Sequence, residues 1–180
     1  LPTAKDYKRI GEGDTGLNTG GMGAISPVPF ANKKLLNKIE QNIIIPTIQG
    51  LIKEGSEDQG CMFIGLMIVN DEPKVIEYNV RMGDPETEAV LPRIQNDFVE
   101  IFQSFKDKTL DKIELKIDNR SAATVVLVSG GYPSNYNKGI KITGIDHVVD
   151  STVYHAGAIQ KESSVYTNGG RVLAITSFGD

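Results

Sequence analysis

Glu77, Asn79 and Arg81 stand two residues apart in the stretch Lys74-Val75-Ile76-Glu77-Tyr78-Asn79-Val80-Arg81, which runs on into Met82-Gly83-Asp84-Pro85-Glu86. As a strand, its period of two sends those three side chains, with Val75, to one face and Ile76, Tyr78 and Val80 to the other. One face then carries a carboxylate, an amide oxygen and a guanidinium in a row. The two oxygens are hard donors of the kind Mg²⁺ takes, and a guanidinium suits phosphate. Asp84-Pro85-Glu86 reads as a helix start, with Asp as N-cap, Pro at the first helical position and acid in the first turn. The same pattern also describes a solvated edge strand followed by an ordinary capped helix. This stretch alone leaves both readings open.

A second stretch that could do chemistry is Gly11-Glu-Gly-Asp-Thr-Gly-Leu-Asn-Thr-Gly-Gly-Met-Gly23, with six glycines in thirteen residues. Neither a helix nor a regular strand is expected there, because each glycine costs backbone entropy and packs no core. Consecutive N–H groups in tight turns make anion-binding nests. The segment is therefore either a phosphate or substrate cradle or a flexible surface loop, and its Asp, Thr and Asn residues set it apart from a Gly/Ser linker. No Gly-Lys-Ser/Thr follows, which excludes a Walker loop, and no strand pattern precedes it as a dinucleotide fingerprint requires.

Elements must position these residues. Ser26-Pro27-Val28-Pro29 makes an extended exit from the glycine segment. Residues 31–54 carry an apolar stripe of helical period at Leu35, Leu36, Ile39, Ile43 and Ile44, and Pro46 is expected to divide it into two helices. Cys61 to Val69 reads as a buried strand, Asn70-Asp71-Glu72-Pro73 as a turn, and Lys74 to Arg81 as its hairpin partner. Gly65 marks a close backbone approach. Phe98, Ile101, Phe102 and Phe105 form the stripe of another helix, capped by Asn96 or Asp97, and read as core. Arg93, between helices, is an ion-pair partner or a second anion contact. A short strand is expected at Ile113 to Ile117. Beyond residue 119 short strands at Ala122–Val128, Ile140–Ile145, Thr152–Ala158 and Arg171–Thr176 alternate with polar turns. The expected class is α+β, an antiparallel sheet with helices over 1–118 followed by a small β-rich barrel-like or sandwich-like domain over 119–180.

Composition narrows the function classes. The 180 residues are 39% apolar and 23% charged with a net charge of −4. That is the profile of a soluble globular protein, with no basic excess to suggest nucleic acid. No apolar run is long enough to span a membrane. Cys61 is the only cysteine, so no internal disulfide forms, and it reads as a small buried hydrophobe. His147 and His155 are isolated, without ligand-like spacing. The N-terminus has no signal-peptide plan and no initiator Met, which is compatible with a trimmed fragment.

Several segments taken together resemble one family. They are Asp6-Tyr7-Lys8-Arg9, Gly13-Asp14-Thr15-Gly16, Asn18-Thr19-Gly20-Gly21-Met22-Gly23-Ala24 and Glu77-Tyr78-Asn79-Val80-Arg81-Met82-Gly83-Asp84-Pro85-Glu86. Toward the end come Ser129-Gly130-Gly131-Tyr132-Pro133, His155-Ala156-Gly157 and Asn168-Gly169-Gly170-Arg171-Val172-Leu173-Ala174. In this order they resemble the phosphoribosylamine–glycine ligases, which are ATP-grasp enzymes. The resemblance implies a cytoplasmic enzyme of de novo purine synthesis that couples glycine to 5-phosphoribosylamine with ATP through a glycyl phosphate. It implies Glu77 and Asn79 as ligands of Mg²⁺ or Mn²⁺, with Arg81 stabilising the transferring phosphoryl group. Asp84 would either hold the glycine ammonium or cap the helix. The backbone of Asn18, Thr19, Gly20, Gly21, Met22 and Gly23 would lie against substrate or phosphate, and Lys8 and Arg9 are further candidates for the same anionic region. The family is much longer than this chain. The resemblance therefore covers the second half of the ATP-grasp module and most of the C-terminal domain, and implies that the rest of the enzyme completes the site. The chain alone is expected to be inactive. The alternatives are another ATP-grasp carbon–nitrogen ligase or carboxylase, which lacks the long Asn18-to-Ala24 loop, and a non-catalytic nucleotide-binding module. A biotin or lipoate carrier role for the β-rich domain finds no exposed lysine turn.

Overall fold

The computed structural model describes residues 1–56 and 60–180. The chain forms two compact units, each assembled from separated segments. Unit 1 comprises Leu1–Pro27, Asp84–Ile94 and Ile117–Asp180, and unit 2 comprises Val28–Gly83 and Gln95–Lys116. The position near 119 where the sequence changes texture falls inside unit 1.

Unit 1 is built on a five-stranded antiparallel sheet. Its strands are β1 (Lys5–Asp6), β4 (Gly23–Ser26), β7 (Ser121–Val128), β12 (Arg171–Gly179) and β9 (Ser151–His155), in that spatial order. Strands from the two ends of the sequence thus share one ladder, with Gly23 opposite Val125 and Ser26 opposite Ala122. Ala122, Thr124 and Val126 alternate into a buried face. Helix α3 (Glu86–Val90) packs against β4 and β7 and buries Ala89 and Val90. Thr176 ties β12 to it by donating to the Glu88 carbonyl at 2.9 Å. Part of the glycine-rich segment is strand after all, since β2 (Arg9–Gly11) pairs with β3 (Thr15–Asn18). Gly13, Asp14 and Gly16, all at positive φ, make its turn and bulge, so the glycines punctuate the ladder rather than abolish it. A three-stranded sheet of β10 (Ala158–Lys161), β11 (Ser164–Thr167) and β8 (Lys141–Ile142) completes the unit. Where the sequence suggested a single strand over Ile140–Ile145, only Lys141–Ile142 pairs, and Ile145–His147 is a 3₁₀ turn.

Among the described residues Arg93 forms no close ion pair, though it feels the charge of Asp118. It is 5% exposed. It donates from Nε to the Arg120 carbonyl at 3.0 Å, from Nη2 to the Asp118 carbonyl at 3.0 Å and from Nη1 to Ser26 Oγ at 2.9 Å. Ser26, wholly buried, donates in turn to the Thr3 carbonyl. The guanidinium is a cross-link between three segments, and burial shifts its pKa downward.

In unit 2, α1 (Lys33–Ile39) runs through a π-helical turn over Glu40–Ile44 into α2 (Ile45–Lys53) without leaving the right-handed helical region. The expected break at Pro46 is therefore a widened turn. Proline lacks the N–H and crowds the carbonyl four residues back, and a π turn accommodates both. Asn32 caps α1, accepting from the Leu35 N–H at 3.0 Å. β5 (Phe63–Val69) and β6 (Glu72–Asn79) form the hairpin, turned by Asn70 and Asp71, both at positive φ. Tyr78 meets Thr47 of α2, hydroxyl to hydroxyl, at 2.9 Å, which identifies the helix-facing side. α4 (Phe98–Asp107) is capped by Asp97. Its rings stack in sequence, but Phe102 is 57% exposed, so within this chain that stripe is only partly core. Asn96 instead holds the 114–116 segment, which forms no strand; Ile117 makes only an isolated bridge, to Ile94.

Every strand pair is antiparallel and the sheets are open in order, so the class is α+β, without a closed barrel among the described residues. No helix of the described residues is long and apolar enough to cross a membrane.

Candidate functional site

The candidate residues divide between the two units. Glu77, Asn79 and Arg81 belong to unit 2, while Lys8, Arg9, Asn18 to Gly23 and Asp84 belong to unit 1.

On the hairpin, Gly65 pairs with Glu77 but Leu66 pairs with Val75, leaving Ile76 as the extra residue of a β-bulge. Since Gly65 and Leu66 point oppositely, Val75 lies on the face away from Glu77, against the simple parity reading. Phe63 opposite Asn79 keeps Glu77 and Asn79 on one face. Gly65 is what makes room there, because a Cβ added to it would stand 3.0 Å from Glu77 Cγ. Strand β6 ends at Asn79, so Arg81 is not on the ladder. Its side chain folds back, Nη1 donating to the Met82 carbonyl at 2.9 Å and Nη2 to Asn79 Oδ1 at 3.3 Å. Glu77 is exposed, whereas Asn79 Nδ2 is buried with no hydrogen-bond partner among the described residues.

This donor set fits a magnesium ion that keeps most of its shell for water and phosphate oxygens. No group of three His, Cys, Asp or Glu converges among the described residues. Glu77 and Asn79 therefore offer two hard oxygens and not a closed cage.

In unit 1 the amides of the glycine segment are engaged by the unit itself. Thr19 N–H donates to the Lys8 carbonyl, Gly20 N–H to the Tyr132 hydroxyl, Gly21 N–H to Thr19 Oγ1 and Met22 N–H to the Tyr7 carbonyl. Four consecutive amides are satisfied within the unit, so this stretch is not an open nest. What glycine permits is close packing. Gly21 has φ +124°, and a Cβ there would come within 2.3 Å of Pro85 Cδ and 2.9 Å of Asp6 Oδ1. Arg9 is tied to the Gly16 carbonyl at 2.7 Å, and Lys8 forms an ion pair with Asp6.

Asp84 does not cap α3. Pro85 occupies the N-cap position and no side chain caps it. The Asp84 carboxylate turns instead to Arg171, whose Nη1 donates to Oδ1 at 2.9 Å. Sequence reading missed three neighbours. Asp6 has both oxygens shielded from solvent, and neither accepts a well-directed hydrogen bond. Glu86 is 8% exposed, and burial, with the Asp6 charge adding to it, raises its carboxyl pKa above the ordinary range. Burial and the Asp84 charge raise that of Glu88 in the same way. Lys8 already pairs with Asp6 and Arg171 with Asp84, and burial favours the protonated form of Glu86 and Glu88. His147 and His155 are exposed, and Cys61 is a free, half-buried thiol.

The model of the phosphoribosylglycinamide synthetase ATP-grasp (A) domain matches residues 1–87, and that of the same synthetase's C domain matches residues 122–180. The chain belongs to the phosphoribosylglycinamide synthetase family. It is 46% identical over 183 residues to the phosphoribosylamine–glycine ligase of Vibrio vulnificus strain CMCP6, covering 100% of this chain and 43% of that protein. A bifunctional purine biosynthetic protein of Pichia angusta is 47% identical over 183 residues, 100% of this chain and 23% of that protein. The crystal structure of phosphoribosylamine–glycine ligase from Thermotoga maritima matches with a TM-score of 0.87 at 37% identity, over 99% of this chain and 44% of that one. The chain thus spans less than half the length of the synthetases it matches.

Proposed function

We propose that this chain supplies the metal side and part of the substrate side of an ATP-dependent, cytoplasmic carbon–nitrogen ligase that joins glycine to 5-phosphoribosylamine in de novo purine biosynthesis. The observation that carries this reading is the match to ligases of that name along the whole chain, with the Glu77–Asn79 pair and the Asp84 turn both inside it. In the reaction, the ATP γ-phosphoryl group passes to a glycine carboxylate oxygen, releasing ADP. The ribosylamine nitrogen then attacks the carbonyl carbon of the glycyl phosphate, the carbon–oxygen bond breaks, phosphate leaves and the nitrogen loses a proton. Glu77 and Asn79 would hold Mg²⁺ or Mn²⁺, which when bound neutralises phosphate charge during transfer. Arg81, already beside Asn79, supplies positive charge to the oxygens of the transferring group. Asp84 receives the glycine ammonium, and the Asn18-to-Gly23 turn, with Lys8 and Arg9 flanking it, borders the substrates. Small molecules are the partners, and the remainder of the synthetase polypeptide completes the site. Met67 and Val69, exposed on the same hairpin face as Glu77, are apolar surface for that remainder to cover.

Assay of the full-length ligase against its Glu77→Gln variant tests this. The carboxamide keeps the shape and removes the charge, and turnover should fall at least about a hundredfold, beyond the usual cost of losing a metal's outer-shell support. Unchanged turnover and unchanged Mg²⁺ dependence would overturn the assignment. The isolated 180 residues should show no ligation.

A further inference from the structure

Two side chains of the C-terminal segment reach the substrate-side turn of unit 1. Arg171 Nη1 donates to the Gly20 carbonyl at 3.1 Å, to the Asp84 carbonyl at 3.1 Å and to Asp84 Oδ1 at 2.9 Å. Tyr132 Oη accepts the Gly20 N–H at 3.1 Å. Gly20 is thus held at both its N–H and its carbonyl by residues far away in sequence, and one of them also holds Asp84 by backbone and side chain.

The surroundings are fitted to these contacts. A Cβ at Gly20 would stand 3.0 Å from Arg171 Cζ. At Gly170 it would come within 2.2 Å of Tyr132 Cδ2 and 3.1 Å of Tyr136 Cε1, so the residue before Arg171 must be small for the tyrosine to lie there. Ser129 closes the same corner, donating from Oγ to the Gly169 carbonyl at 2.8 Å and from its N–H to the Gly170 carbonyl at 2.8 Å.

We infer that Arg171 and Tyr132 are positioning residues: together they hold the Gly20–Gly21 backbone and the Asp84 carboxylate in the arrangement that receives the non-nucleotide substrates. This rests on the ligase reading above. Neither residue needs to touch a reacting atom. Arg171 donates to Oδ1 of Asp84, while its contact with the Gly20 carbonyl fixes the spacing between that carboxylate and the turn. All three contacts run through a single nitrogen, so a lysine ammonium can replace much of the function, unlike at a site read by both arms of the guanidinium.

The test compares wild type, Arg171→Ala, Arg171→Lys and Tyr132→Phe in the full-length ligase, with KM measured separately for glycine and ATP and thermal melting followed in parallel. Losing the three Arg171 contacts, of which the charge-assisted one to Asp84 Oδ1 bears on the ligand, should raise the glycine KM by at least about tenfold in Arg171→Ala. The ATP KM should change by less than about twofold, because uniform loosening of the fold is not what is being removed. Arg171→Lys should restore most of the loss. Tyr132→Phe keeps the ring and deletes only the hydroxyl that accepts from Gly20, and should raise the glycine KM by about threefold with an unchanged melting point. Equal movement of both KM values together with a lower melting point would overturn the inference in favour of a purely structural clamp, as would wild-type kinetics in both Arg171→Ala and Tyr132→Phe. If wild type itself ligates no glycine, the functional reading fails instead.

Discussion

The hairpin that carries Glu77 and the turn that carries Gly21 are built on opposite plans. Around Glu77 the side chains are exposed, and a neighbouring amide nitrogen is buried without a partner among the described residues. Around Gly21 four successive amides are satisfied, Pro85 is fully buried, and there is no space for a methyl group. The hairpin leaves the Glu77 carboxylate open to solvent, and its geometry is set by one bulge and one small residue. The turn is finished within its own unit and contributes shape. Under the proposed function, the metal side falls on the open element and the substrate-side spacing on the closed one.

This contrast can be broken at the turn first. Gly21→Ala combines a left-handed backbone position with a 2.3 Å approach to Pro85, and should destabilise the protein by roughly 3 kcal/mol in denaturant titration. A loss below about 1 kcal/mol, the scale of an ordinary surface substitution, would show that the turn is not the closed element described. At the hairpin the balance reverses. Gly65→Ala places its methyl 3.0 Å from a flexible Glu77 side chain, so stability should change by less than about 1 kcal/mol, since glycine in a strand is itself unfavourable. In the full-length ligase carrying the same substitution, the Mg²⁺ concentration needed for half-maximal turnover should nevertheless rise several-fold. A variant that unfolds without altering metal dependence would invert the comparison.

The smallest effect concerns pH. Glu86 has a folded-state pKa raised above its unfolded value, chiefly by burial. The folded protein therefore binds this proton more tightly. Its contribution to stability is fully present below the unfolded carboxylate range near 4.5 and is lost as pH rises through the raised value. Glu86→Gln should flatten stability against pH above that range, leaving the acid limb intact. Asp118, held at about 2 by hydrogen bonds from Arg120, works in the opposite sense and loses its contribution as pH falls. A pH profile identical in wild type and Glu86→Gln would contradict the shielded acidic cluster.

Local pattern in the sequence accounts for the local structure. The Leu35–Ile44 stripe, the Asn70-Asp71 turn, the Asp97 cap and the alternating β7 all follow from spacing and residue type. The bulge at Ile76 does not, because an inserted isoleucine among Val75, Glu77 and Tyr78 leaves strand propensity unchanged while reversing the face. Arg81 fell off the strand for the related reason that nothing in its own residue type marks where pairing stops. The Asp84 reading as a helix cap failed because its competitor, Arg171, lies 87 residues away. Tyr132 is 112 residues from the glycine it holds. Contacts of that separation have no signature in local spacing.

The shared ladder of β4 and β7 has a consequence for how the chain is made. Ser26 has to wait for Ala122 to leave the ribosome before it gains its partner across the sheet, a delay on the order of ten seconds at ordinary rates of synthesis. The hairpin and helices of unit 2 close over short separations and can form in the meantime, whereas loop closure for the unit 1 sheet is long-range and slow. Until then β4 presents a bare edge, Gly-Ala-Ile-Ser, at which a nascent chain is most exposed to mispairing with another copy of itself.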